Sequence, residues 1–312
     1  MPHTKVKLTS RYTTIDGLRI HYIESPPLAT PSLLPPLLML AGWPMAGFML
    51  TPLTKYFATH TKCYILDLPG YGGSESDEKA FCGFDYYLDF IHKFHTKIIK
   101  IPKISIFGYS TGGVHALNYA GRYPDQVDRL ITFSAPYDGT EQFAEMAVRS
   151  PKRLKTLKVL YPLVAKHPKL VRLVNYRIFK FMSIGIFYLA VYTRLYPKAI
   201  ERCEKRFMLQ FLHKTSKFNV KTIFDLAMDL SNTDYSHKAK MLETPTLIIS
   251  ASNDTTVKPY RSKKLAKLIP NNIYHLVEDA DHAVGVVHPE KISSVVLQFL
   301  SGKLISTSSN NG

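Results

Sequence analysis

The sequence predicts an α/β fold built on a mostly parallel central sheet, and three observations carry that reading. Short apolar runs alternate with longer stretches of helical character, the apolar runs are nearly continuous rather than alternating, and one basic block interrupts the order. Leu37–Leu40, Cys63–Leu66, 104–107, 130–133 and 246–250 are the apolar runs. Continuous apolar runs of four or five residues suit strands covered on both faces, as in a parallel sheet. Before them, 11–15 and Leu18–Glu24 flank Asp16-Gly17, a two-residue hairpin turn. Asn272–Val277 supplies one more strand. The helices expected between strands are 85–99, Thr111–Arg122, 260–268 and 289–300. Strands alternating with helices define the α/β class.

The basic block comes after the sixth strand. Residues 149–221 hold 18 of the 40 lysines and arginines but only two acids, Glu201 and Glu204, so the net charge of +16 resides there and the rest is neutral. That asymmetry sets the expected domain organisation. A core is expected over 1–137 and 241–302, an inserted helical cap over 138–240, and a flexible tail over 303–312.

With 312 residues, 46% of them apolar and 21% charged, the chain is neither disordered nor fibrous. Cys63, Cys82 and Cys203 share no metal-ligand spacing and are too few for a disulfide framework. A reducing, cytoplasmic setting is therefore expected. Residues 1–14 contain no apolar core of the kind a signal peptide needs. His92 and His95 stand at helical spacing without a carboxylate partner, so no metal site is expected.

The chemistry begins at Gly108-Tyr109-Ser110-Thr111-Gly112-Gly113, which follows a strand and opens a helix. Gly-x-Ser-x-Gly in that context is a nucleophile elbow. The serine sits on a sharp turn, and glycines two before and two after it keep neighbouring backbone clear. The helix N-terminus offers N–H groups to a developing oxyanion. A serine hydroxyl needs a base to take its proton and an acid to orient that base, in the chain order Ser, Asp or Glu, His. Asp254 lies in the loop after the strand at 246–250, and His282 in the loop after Asn272–Val277. Asp279 and Asp281 compete for the acid role, but they stand too near His282 in sequence to orient it easily. They are read as loop caps, and His288, beside Pro289, as part of a helix entry.

Together these features resemble the α/β-hydrolase superfamily over nearly the whole chain. Asp67-Leu68-Pro69-Gly70-Tyr71-Gly72-Gly73-Ser74 matches that family's loop after the fourth strand, and Thr244-Pro245-Thr246-Leu247-Ile248-Ile249 matches the strand leading to its acid. The glycine loop at 70–73 lacks a following Gly-Lys-Ser/Thr and is read as a structural turn rather than a phosphate cradle. The resemblance implies an oxyanion hole formed by the backbone N–H groups of Trp43 and Thr111. One departure is visible: relatives usually carry His-Gly before Trp43, and this chain has Ala41-Gly42. A side-chain contact that steadies the loop is lost, while the backbone donor remains. Serine at the elbow, rather than the aspartate of epoxide hydrolases and haloalkane dehalogenases, points to acyl transfer. Gly-Trp-Pro with Ser-Thr-Gly-Gly is also similar to the cofactor-free perhydrolase and haloperoxidase branch.

The expected activity is hydrolysis of a carboxylic ester carrying a sizeable apolar group, with Ser110, His282 and Asp254 as triad and no cofactor. Two rivals stand beside it. A carbon–carbon hydrolase of diketone acids would want cations in its pocket, and a retired fold would only bind lipid or a small molecule. The block 149–221, with the apolar stretch 170–196 inside it, has three competing readings: a lid with solvated lysines, a surface that presses on anionic membrane, or a nucleic-acid surface, which the net charge allows. Its uncharged run 181–193 is too short to span a bilayer. No recognition motif supports nucleic-acid binding.

Overall fold

A computed structural model of the chain describes residues 6–43, 45–142 and 219–304, together with Glu145, Val159 and Lys166. Within them, eight strands form one sheet in the order β1-β2-β4-β3-β5-β6-β7-β8. They are β1 (Thr9–Ile15), β2 (Leu18–Glu24), β3 (Leu37–Leu40), β4 (Cys63–Leu66), β5 (Ile104–Tyr109), β6 (Val127–Phe133), β7 (Thr246–Ala251) and β8 (Asn272–Val277). The β1–β2 and β2–β4 pairs are antiparallel, and every pair from β4 through β3, β5, β6 and β7 to β8 is parallel. Asp16 and Gly17 both have positive φ, 52° and 79°, as a tight hairpin between right-twisted strands requires.

All four residues of β3 and all six of β7 are buried, so both sheet faces are covered. The described helices are α1 (Thr51–Phe57), α2 (Phe84–Phe94), α3 (Thr111–Arg122), α4 (Val220–Ser231), α5 (Ser236–Lys240), α6 (Pro259–Leu268), α7 (Val284–Val287) and α8 (Glu290–Leu300). One series packs α2 on α3, α3 on α5 and α5 on α6, while α1 packs on α7 and α8. This is the α/β-hydrolase arrangement that the sequence predicts. In detail, β6 begins at Val127 rather than residue 130, and α2 stops at Phe94, where the chain widens into a looser turn over His95–Ile99. Helix α1 escapes the sequence reading because it has only seven residues, with Pro52 in its first turn.

The chain between β6 and β7 contains the insert. Of the cap expected over 138–240, residues 138–142, 145, 159, 166 and 219–240 are described. The apolar stretch 170–196 and, apart from Val159, Lys166 and residues 219–221, the basic block 149–221 lie outside the described residues, as does the tail beyond Leu304. At the base of the insert Arg261 of α6 is 1% exposed. Its guanidinium donates to Asp138 Oδ2 at 2.6 Å and to Glu145 Oε2 at 2.8 Å. Among the described residues no helix is long and apolar enough to cross a membrane.

Candidate active site

Four loops converge because the parallel strands that precede them end on one edge of the sheet. Trp43 follows β3, Ser110 follows β5, Asp254 follows β7 and His282 follows β8. In open α/β sheets ligands bind at that carboxyl edge.

Ser110 caps α3 with φ 54° and ψ −124°, a conformation costly for any residue with a side chain. The turn survives because its neighbours lack side chains. A Cβ on Gly108 would stand 2.2 Å from the Gly112 oxygen, and one on Gly112 would stand 2.3 Å from the Leu40 oxygen. Ser110 N–H donates to the Phe133 carbonyl at 2.8 Å, and the Ser110 carbonyl accepts from Gly113 N–H at 2.8 Å. Both bonds pin the turn to β6 and to the first turn of α3.

The structure brings Asp254 and His282 together. Asp254 Oδ2 lies 2.6 Å from His282 Nδ1, and the carboxylate is 3% exposed. Its other oxygen, Oδ1, accepts N–H bonds from Thr256 at 2.8 Å and Val257 at 2.9 Å. The loop after β7 thus closes around the carboxylate and leaves one oxygen for the imidazole. The histidine loop is tied from beneath: Tyr109 O–H donates to the His282 carbonyl. The Tyr109 ring stacks on Phe133 at 4.6 Å. Sequence reasoning passed over Tyr109, although its place beside the elbow serine was a usable signal.

Asp281 and Asp279 stand elsewhere. Asp281 Oδ1 accepts Ala283 N–H at 2.9 Å, as a loop cap does, and Asp279 sits at φ 48° in the turn itself. His288 Nδ1 lies 3.0 Å from Glu290 Oε1 at the start of α8. His92 stacks on Tyr123 at 4.1 Å. His95 bonds Tyr119 O–H at 2.6 Å and the Ile101 carbonyl at 2.7 Å.

The loop after β3 holds itself without a histidine at position 41. Trp43 N–H donates to Thr111 Oγ1 at 2.5 Å, so the first residue of α3 grips the loop through its side chain. The Trp43 indole N–H donates to the Ile223 carbonyl of α4 at 2.9 Å. The backbone of Trp43 therefore faces the elbow while its ring ties the loop to the insert. Beside this corner a shallow cleft, partly open to solvent, is lined by Gly42, Trp43, Leu68, Thr111, His115 and Leu226 among others.

Asp67, from the glycine loop, is structural. It accepts Gly47 N–H at 2.5 Å and Gly73 N–H at 2.9 Å, and pairs with His21 Nδ1 at 2.6 Å. His21 Nε2 lies 2.5 Å from Ser10 Oγ, which completes a second Ser-His-Asp series. Ser10 lies inside strand β1, with no helix N-terminus behind it, so this series lacks the oxyanion donors that an elbow supplies.

Comparison with known proteins agrees with the fold. A family profile described as alpha/beta hydrolase fold matches residues 35–289. Monoacylglycerol lipase ABHD6 of Bos taurus is 23% identical over 86% of this chain and 75% of its own length. A 2-hydroxy-6-oxononadienedioate/2-hydroxy-6-oxononatrienedioate hydrolase of Dechloromonas aromatica is 25% identical over 84% of this chain and 82% of its own. The match to pimeloyl-[acyl-carrier protein] methyl ester esterase of Aeromonas salmonicida, 32% identical, spans 32% of this chain and 38% of that protein. The crystal structure of the enol-lactonase from Burkholderia xenovorans superposes with a TM-score of 0.69 at 17% identity, over 93% of this chain and all of that one. Since the matching profile covers most of the sequence, the chain belongs to the alpha/beta hydrolase fold family and is a hydrolase.

Proposed function

We propose that the protein cleaves a carboxylic ester through an acyl-enzyme. In this reading Ser110 Oγ attacks the carbonyl carbon as His282 Nε2 takes its proton. Asp254 orients the imidazole and stabilises the imidazolium that forms. The backbone N–H of Thr111, and that of Trp43 once it leaves Thr111 Oγ1, receive the oxyanion. His282 then returns its proton to the departing alcohol, and water repeats the sequence to release the acid. The observation that carries the reading is the buried 2.6 Å contact between Asp254 and His282, with the far oxygen already committed to two N–H donors. A carboxylate held that way has one free direction, and it points at the base.

Leu66, Leu68, Leu226, Met45 and Trp43 in the cleft support an apolar group on the ester. Among the described residues the lining holds no Lys or Arg, the cation that the carbon–carbon reading calls for. Ser110 should take up a fluorophosphonate label, and a p-nitrophenyl ester panel of graded chain length should show turnover lost in Ser110→Ala. Failure of the wild type to label would sink the reading in favour of a retired binder.

We also propose that 138–240 acts as the cap and that its basic block, 149–221, presses on anionic membrane, which fits a lipid-like ester and a cytoplasmic protein with peripheral attachment. Flotation with anionic vesicles at low salt, weakening as salt is raised, tests this. Absence of flotation at low salt overturns it.

A further inference from the structure

His115 is a buried polar group that the chemistry proposed above does not use. It lies on α3 four residues after Thr111, so the two side chains stack on one helix face about one turn apart. Both line the cleft beside the oxyanion loop. His115 is 2% exposed, and its ring meets Phe84 at 4.8 Å and Tyr87 at 5.2 Å between centroids. Its Nδ1 is buried and has no hydrogen-bond partner among the described residues. Burial without a partner costs a polar group about 1–3 kcal/mol, so such an atom stands out.

We propose that His115 is a specificity residue whose imidazole hydrogen-bonds an uncharged oxygen of the substrate, about one helical turn from the scissile carbonyl. The proposal rests on the ester reading and narrows it to esters carrying a hydroxyl or similar neutral oxygen near the carbonyl.

Two arguments fix the chemistry of that group. The first is charge. Burial pushes the His115 imidazole down to about 3, so the ring is neutral at pH 7. Among the described lining residues there is no Lys, Arg, Asp or Glu either. A carboxylate or ammonium entering this part of the cleft would be stripped of water with no opposite charge to meet. The second is hydrogen-bond capacity. A neutral imidazole has one donor and one acceptor nitrogen, and a hydroxyl satisfies Nδ1 in either tautomer. The spacing follows from the helix. Side chains four residues apart have Cβ atoms about 5–6 Å from one another. With the ester oxygen at the Thr111 corner, a hydroxyl three or four bonds along the chain reaches the ring. The surrounding Leu226, Leu68 and Trp43 take the hydrocarbon between them.

The test compares matched pairs of esters differing by one hydroxyl. One arm uses p-nitrophenyl 3-hydroxybutyrate against p-nitrophenyl 3-methylbutyrate, which places the oxygen in the acyl part. The other uses 3-hydroxypropyl butyrate against butyl butyrate, which places it in the alcohol part. The readout is the ratio of kcat/KM within each pair, so differences in active fraction between variants cancel. Wild type should favour the hydroxylated member at least ~10-fold in one arm, because the analogue leaves the imidazole unpaired. His115→Leu should bring that ratio to within ~2-fold of unity. His115→Gln, which keeps a donor and an acceptor, should restore part of it. If His115→Leu does not fold, the wild-type ratio and the His115→Gln variant still decide. Turnover with ratios near one in both arms overturns the specificity proposal alone. Absence of any ester turnover overturns the ester reading and this proposal with it. Preference for an ester bearing a carboxylate at the same position would also overturn it.

Discussion

Replacing Asp254 by Asn probes the proposed triad with least disturbance, because the side chains are nearly the same size. The structure dictates which way the amide would sit. Oδ1 accepts N–H bonds from Thr256 and Val257 at 2.8 and 2.9 Å, so that position must remain an oxygen. The amide NH₂ is then forced toward His282 Nδ1, 2.6 Å away in the wild type, where it donates. Nδ1 must accept, the ring proton moves to Nε2, and the base loses the lone pair that Ser110 needs. Flipping the amide forfeits two hydrogen bonds, about 2 kcal/mol at the usual ~1 kcal/mol each, which leaves roughly one molecule in thirty in the working tautomer. Loss of the negative charge adds to this, since a carboxylate beside an imidazolium at 2.6 Å is worth up to about 6 kcal/mol at an effective dielectric of 20. At about 1.4 kcal/mol per tenfold the first effect alone gives a ~30-fold fall in kcat and the two together set a ceiling near ~10⁶-fold, and the ~10⁴-fold that Asp→Asn costs in a well-studied triad lies between. p-Nitrophenyl butyrate hydrolysis, normalised by fluorophosphonate titration of folded sites, measures it, and circular dichroism should show Tm moved by only a few degrees. A kcat within tenfold of wild type at full titration would refute the assignment of Asp254. Loss of activity in Asp279→Asn or Asp281→Asn instead would point to the competitor.

Three other perturbations probe the surrounding scaffold. In Gly42→Ala the new Cβ would stand 2.6 Å from Ser110 Cβ and 2.9 Å from the Tyr109 oxygen, so the oxyanion loop must withdraw. The expected kcat loss is about 10²-fold or more, the cost of one oxyanion donor, and an unchanged kcat would separate this loop from the chemistry. Arg261→Met leaves Asp138 without its buried partner and should destabilise the fold by about 3–5 kcal/mol in urea denaturation. Lys264→Met, which breaks the exposed contact with Glu141, should leave the urea midpoint nearly unchanged in the same assay. His115 carries a pH signature. Its folded-state value is lowered to about 3 by burial, from the ordinary 6.5. Above pH 6.5 both states are neutral, and as pH falls from there toward 3 only the unfolded chain gains the proton, so stability is lost at up to ~1.4 kcal/mol per pH unit. His115→Leu should lose stability less steeply between pH 6.5 and 4.5, and identical slopes would show that the imidazole takes up a proton in the folded protein.

The sequence by itself carried the fold class, because its signals are local. Four-residue apolar runs such as Leu37–Leu40 read as strands buried on both faces, and Asp16-Gly17 reads as a hairpin, from nearest neighbours alone. The elbow was legible for the same reason: a glycine two residues from Ser110 on either side is a short-range requirement of one turn. Asp254 and His282 were legible as positions, each in a loop following a strand, but not as a pair. Their meeting depends on β7 and β8 being adjacent and parallel, which sets loops 28 residues apart against each other. Other features come only from the tertiary structure. Thr111 Oγ1 gripping Trp43 N–H joins groups 68 residues apart, and the indole of Trp43 on the Ile223 carbonyl joins groups 180 apart. Those two bonds explain how the loop stands without the histidine at position 41, which composition and motif could only mark as missing. The same holds for His115. On a helix printed as Thr-Gly-Gly-Val-His-Ala it is one histidine of twelve. Only packing against Phe84 and Tyr87 of α2 removes it from water and, among the described residues, leaves Nδ1 without a partner. Hydrophobic period and turn chemistry are written into neighbouring residues, whereas desolvation and hydrogen-bond satisfaction belong to whichever distant segments the folded chain brings together.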